Sequence, residues 1–123
     1  KIIRMYEMKT AALFSFSCAA PFIVAKKNIK EINFVNDFGK LFGIIFQITD
    51  DILDQDQDFK ALGKTPGKDK TQGKSTLLSI TNKEELKKFC LKEIKNFTNK
   101  NKSFLLNNPI LNKLINFNLE KLN

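Results

Sequence analysis

Apolar side chains recur along this chain at three- and four-residue intervals almost from end to end, the period of α-helices packed on one face. Residues 2–25 read as one helix, with Pro21 a candidate bend. Residues 32–58 read as a second, and there the pattern changes character. Phe34, Val35, Phe38, Leu41, Phe42, Ile45, Phe46, Ile48, Ile52 and Leu53 cover most of its circumference. A helix apolar on nearly every side belongs at the centre of a bundle. Gly39 and Gly43 lie one turn apart on one face of it. Glycine in mid-helix costs about 1 kcal/mol relative to alanine, so the pair predicts a neighbouring helix close enough to offset that cost.

Residues 59–75 read as a loop punctuated by Gly63, Pro66, Gly67 and Gly73. Thr81 and Glu84 have capping-box spacing and predict a helix to about Asn99, with Leu86, Phe89, Cys90, Ile94 and Phe97 on one stripe. Asn108-Pro109 reads as the N-cap and first residue of a last helix, with Leu111, Leu114, Ile115 and Leu122 on its apolar face. No strand and no internal repeat is legible, so the expected fold class is all-α. Three amphipathic helices cannot enclose the central one, and the chain opens with Lys1 rather than Met. The expectation is that residues 1–123 are the C-terminal part of a single larger helical domain.

Composition narrows the chemistry. Among 123 residues there is no His, which removes Ser-His and Cys-His catalysis and His-ligated zinc. Cys18 and Cys90 stand far apart, in no metal-binding spacing, and read as buried free thiols of a reducing, cytoplasmic compartment. The run Thr10 to Ala25 is uncharged but shorter than the ~20 residues of a membrane span. The net charge of +8 is uneven: residues 1–60 carry eight basic and eight acidic side chains, residues 61–123 thirteen and five.

Against that background Asp50-Asp51-Ile52-Leu53-Asp54 stands out, because it follows an apolar stretch where charge is expensive. On a helix, Asp50 and Asp54 share a face and Asp51 lies about 100° round from Asp50. Burying the cluster unpaired costs several kcal/mol per ion, by order of magnitude, and like charges oppose one another's ionisation. A hard divalent cation with oxygen ligands fits; taken alone, so does a solvated helix face continued by Asp56 and Asp58. EF-hand spacing is absent. Gly67 and Gly73-Lys74-Ser75 approach a phosphate-binding P-loop, but with five intervening residues rather than four and no preceding strand. The alternation of Lys64, Lys68, Lys70 and Lys74 with glycine still suits a segment that meets an anionic ligand.

Taken in order, Lys9-Thr10, then Gly43-x-x-Phe46-Gln47-x-x-Asp50-Asp51-Ile52-Leu53-Asp54, then Gly63-Lys64-Thr65-x-Gly67-Lys68-Asp69, then Gly73-Lys74-Ser75-Thr76, the chain resembles the C-terminal part of the trans-isoprenyl diphosphate synthases, or polyprenyl synthetases. It is most similar to the bacterial farnesyl and geranylgeranyl diphosphate synthases. The likeness runs from about Met5 to Ile80; residues 81–123 share only helical character. It implies an all-α isoprenoid-synthase bundle and a Mg²⁺-dependent prenyltransferase, homodimeric when complete, that joins isopentenyl diphosphate to an allylic diphosphate. By the same resemblance Asp50, Asp51 and Asp54 serve a metal, Asp50 directly. Lys9, Thr10 and Gln47 are catalytic, and Lys9, Gln47, Lys64 and Lys74 bind diphosphate. The family's first aspartate-rich motif and its isopentenyl diphosphate site lie upstream of anything in residues 1–123, so the chain alone is expected to be inactive. Two other readings remain open on sequence: a non-catalytic helical subunit or relic of the same fold, and a basic nucleic-acid-binding module in residues 61–123. The second is disfavoured because Phe89, Phe97, Phe104 and Phe117 fall at helix-core positions rather than on a basic stacking surface.

Overall fold

The computed structural model describes Arg4, residues 7–62 and residues 82–121. Every element among them is helical: a π-helical turn Glu7–Ala11 leading into α1 (Ala12–Val24), then α2 (Ile29–Leu62), α3 (Lys83–Lys100), the short α4 (Lys102–Asn107) and α5 (Pro109–Glu120). The 34 residues of α2 span ~51 Å. No helix among the described residues is long and apolar enough to cross a membrane.

The first two helices form an antiparallel hairpin whose turn is specified locally. Lys26 adopts a left-handed conformation, φ 55°. Its N–H donates to Ile23 O and that of Lys27 to Phe22 O, which closes the end of α1 as a Schellman motif. Asn28 then caps α2: its Oδ1 accepts from Glu31 N at 2.9 Å and its Nδ2 donates to Glu31 Oε1 at 2.8 Å. That cap starts the helix at Ile29, three residues before the apolar periodicity becomes visible. At its other end α2 continues through Leu62, beyond the expected boundary.

The predicted close approach is present, and α1 with the π turn before it supplies it. A Cβ on Gly39 would lie 2.7 Å from Phe14 O and from Ser15 Cα, and one on Gly43 2.8 Å from Ala11 Cα. Backbone meets backbone at both positions. Ser15, buried at the same crossing, donates to the Asn36 side chain. Phe14 fills the space beside the glycines, its ring 5.3 Å from Phe42 and 5.4 Å from Phe46.

The opposite side of α2 carries the main core. Ile45, Ile48 and Ile52, each 1% exposed, pack with Leu86, Cys90 and Ile94 of α3 and with Ile115 of α5. Each isoleucine so buried contributes about 1.5–3 kcal/mol. Burial pushes the Cys90 thiol up to about 12, so it stays protonated and acts as a packing residue. Phe34 stacks on Phe104 and Phe97 (centroids 4.7 and 5.7 Å apart), which docks α4 on the start of α2. The breaks around α4 are sealed by asparagines: Asn101 Nδ2 donates to Phe97 O and Asn108 Nδ2 to Phe104 O.

Three local expectations need correction. The cap of α3 is Asn82, whose side chain accepts from Glu85 N at 2.8 Å, and not Thr81, which lies outside the described residues. Asn108 precedes Pro109 as predicted, but its amide serves α4 instead of capping α5. Phe117 is 56% exposed with Lys121 Nζ 4.7 Å from its ring centroid, and Leu114 is 42% exposed, because α5 turns Ile115 and Asn118 inward.

The glycine crossing gives a first test. Gly39→Ala gains about 1 kcal/mol of helix propensity, but the new methyl meets backbone that cannot move aside, and overpacking of this kind costs roughly 1–3 kcal/mol. In the full-length chain the expected net result is a lower urea midpoint at unchanged slope, whereas Lys40→Ala at the neighbouring exposed position should leave the midpoint within error.

Candidate active site

The site is built where the π-helical turn lies against α2. The turn places Ala11, fully buried, over Gly43. With no side chain between the backbones, Thr10 comes within reach of Gln47, one turn further along α2. Thr10 Oγ1 donates to Gln47 Oε1 at 2.9 Å. Gln47 Nε2 donates in turn to Asp51 Oδ1 at 3.0 Å, again one turn on. Both bonds are partly buried. A carboxylate only accepts, so the Gln47 end that faces Asp51 is the NH₂. The amide oxygen therefore faces Thr10, and the Thr10 hydroxyl proton is committed to it. Single π turns occur frequently at functional sites, and this one carries both Lys9 and Thr10.

The remaining carboxylates continue along the same helix. Asp50 and Asp54 are solvent-exposed and one turn apart; Asp51 is half-buried. Asp56 departs from the expectation that it would simply face water. Its Oδ2 lies 2.9 Å from Lys83 Nζ, with both side chains a little under half exposed, which ties the end of α2 to the start of α3. A pair this accessible contributes about 0.2–1 kcal/mol. The side chain of Asp58 lies outside the described residues. Thr49, next to Asp50, is 3% exposed, and its Oγ1 has no hydrogen-bond partner among the described residues.

Of the residues singled out in the sequence, Thr10, Gln47 and Asp51 are thus joined directly, with Asp50 and Asp54 on the adjoining turns. Lys9 has its backbone in the π turn, but its side chain lies outside the described residues, as do Lys64 and Lys74 entirely. The Gln47–Asp51 bond had a signal in the sequence, the i, i+4 spacing of an amide and a carboxylate. The Thr10–Gln47 bond across helices had none.

Do these residues fit Mg²⁺? Among the described residues, no three His, Cys, Asp or Glu side chains close around a point that a metal ion could occupy. The donors are nonetheless of the right kind: hard carboxylate oxygens, two of them accessible, on one rigid helix. Mg²⁺ is usually bound through one or two carboxylates plus substrate phosphates and water, rather than inside an all-protein cage. The aspartates fit as one side of such a shell. Beside them Phe46, 39% exposed and packed on Phe14, offers apolar surface.

The sequence is similar to known proteins. The family model described as Polyprenyl synthetase matches residues 1–106. The geranylgeranyl diphosphate synthase of Sulfolobus acidocaldarius is 43% identical over 96 residues, which cover 75% of this chain and 29% of that protein. The farnesyl diphosphate synthase of Micrococcus luteus is 37% identical over 84 residues (68% and 29%), and the octaprenyl diphosphate synthase of Haemophilus influenzae 39% identical over 75 (61% and 23%). The chain spans less than a third of the length of these relatives. No solved structure matches it. With a hydrogen-bonded pair of helices carrying the aspartate motif, and a family match over residues 1–106, the chain belongs to the polyprenyl synthetase family.

Proposed function

We propose that residues 1–123 are the C-terminal part of a single all-α domain and form one wall of the active site of a Mg²⁺-dependent, cytoplasmic, homodimeric prenyltransferase. Its reaction joins isopentenyl diphosphate to an allylic diphosphate and yields a short-chain isoprenyl diphosphate. The observation that carries this reading is the polar chain Thr10–Gln47–Asp51, which fixes the π turn bearing Lys9 against the helix bearing Asp50 and Asp54. Relatives named for geranylgeranyl and farnesyl products support the short-chain assignment.

In the condensation the allylic C–O bond breaks, the diphosphate leaves with the electron pair, the isopentenyl double bond attacks the cation, and a proton is lost. The chain's residues divide that work by charge. Asp50 and Asp54 present accessible carboxylates on the metal side, and Asp51 is held in place beside them. Lys9, Lys64 and Lys74 bring ammonium donors to the diphosphate. Thr10 and Gln47 place neutral dipoles, already oriented by each other, next to the reacting end. Bound Mg²⁺ supplies the positive charge that stabilises the departing diphosphate. Preorganised dipoles and charges of this sort act most strongly where charge develops in the transition state.

Two measurements test the assignment. In the full-length chain, Asp50→Ala should lower kcat on the order of 10²–10³-fold while the KM for isopentenyl diphosphate changes little; activity within a few-fold of the parent would remove Asp50 from the metal role. Residues 1–123 expressed alone should show no prenyl transfer with Mg²⁺ and both substrates. Met8, Leu13, Phe16 and Ile23 are 72, 65, 68 and 56% exposed along the outer side of α1, beside a groove of about 590 Å³. Apolar surface on that scale drives association, so the isolated piece should aggregate or bind hydrophobic dyes, and a monodisperse, active fragment would defeat the proposal.

A further inference from the structure

Resting on the metal role proposed for the aspartates, we propose that Thr10 is a positioning residue that acts on Asp51 through Gln47, so that a hydroxyl on the first helical hairpin arm sets the geometry of a carboxylate on the second. The two bonds that carry it, at 2.9 and 3.0 Å, run in one direction: hydroxyl to amide oxygen, amide NH₂ to carboxylate. Their polarity is fixed at the acidic end, because Asp51 accepts only. Rotation of the Gln47 amide would set its oxygen against the carboxylate. The position of the amide, as distinct from its polarity, is fixed at the other end by Thr10.

Removing the hydroxyl leaves the Gln47 oxygen partly buried without its donor, and an unsatisfied buried acceptor costs more than the bond itself contributed. The long Gln47 side chain relieves that cost by swinging toward water, and Asp51 then loses the Gln47 N–H. The same coupling ties the backbone turn that carries Lys9 to the aspartate wall.

The test is a double-mutant cycle read on metal binding. Mn²⁺ is titrated into the full-length chain by electron paramagnetic resonance with saturating inorganic diphosphate, and thermal unfolding is recorded for every variant. Groups that orient a metal ligand typically contribute 10–100-fold to metal affinity. Thr10→Val should therefore weaken Mn²⁺ about 10-fold, Gln47→Leu by a similar or larger factor, and Thr10→Ser should restore the parent value. Because Thr10 works through Gln47, the Thr10→Val/Gln47→Leu double variant should bind no more weakly than Gln47→Leu alone. Independent, multiplying effects would overturn the inference, as would Mn²⁺ affinity within twofold of the parent in folded Thr10→Val. Should Thr10→Val fail to fold, Thr10→Ala compared with Thr10→Ser in the Gln47→Leu background decides the same point: a difference there refutes the relay. Asp51→Asn is the separate control on the metal role itself: it should weaken Mn²⁺ at least as much as Gln47→Leu, and unchanged binding there would overturn the role of Asp51 while a loss there with an intact Thr10→Val would overturn only the relay.

Discussion

Backbone contact between α1 and α2 is the constraint on which the rest of the molecule depends. Threonine is a short side chain, and its hydroxyl reaches a glutamine on a neighbouring helix only when the two backbones touch. Gly39 and Gly43 permit that contact, with Ser15 and Ala11 as their counterparts. A larger residue at either glycine pushes the hairpin apart, and the 2.9 Å bond between Thr10 and Gln47 is the first to go. The fold therefore spends helix propensity at two positions in order to bring one hydroxyl into place. The left-handed Lys26 and the Asn28 cap serve the same end, because they set where α2 starts relative to α1.

The central helix does two incompatible jobs along its length, and separates them by position. From Phe34 to Ile52 its inner face is buried against α3, α4 and α5. From Gln47 onward its other side turns polar, ending in exposed Asp50 and Asp54. Thr49 sits at the boundary, buried, with a hydroxyl that has no hydrogen-bond partner among the described residues. Rigidity explains why the carboxylates are placed here. Carboxylates mounted on a helix anchored by Ile45, Ile48 and Ile52 keep their spacing to within side-chain rotation, which a loop cannot do.

How much of this was legible beforehand follows from the range of each interaction. Helix class, the all-round apolar character of α2, and the meaning of the glycine pair came from periodicity, which is a local signal; the six-residue α4 is too short to show a period and was not anticipated. The stripe of Leu86, Cys90 and Ile94 was read correctly for the same reason. Capping was read less well, because several polar residues stand near each helix start and only the backbone decides which one is used: Asn82 rather than Thr81, and Asn28 where no boundary was placed. Asp56 was misjudged because its partner, Lys83, lies 27 positions away and no local pattern announces it. Thr10 and Gln47, 37 positions apart, were both singled out, but on resemblance; that they bond to each other is a product of the fold.

The distribution of charge shows what the proposed site would demand of aspartates that stand in water here. Exposed carboxylates keep their hydration and need no counter-ion. Enclosing them would remove that hydration and leave several negative charges within a few ångströms, a state tolerable only with cations among them. A diphosphate brought to the same place adds more negative charge, so it too can bind only with positive charge supplied. The chain offers that charge close by. The basic excess begins immediately after α2, and the Asp56–Lys83 pair holds the start of α3 two residues past the last aspartate of the motif. An anionic ligand and the aspartates thus make the same electrostatic demand, and cations shared between them would meet both at once.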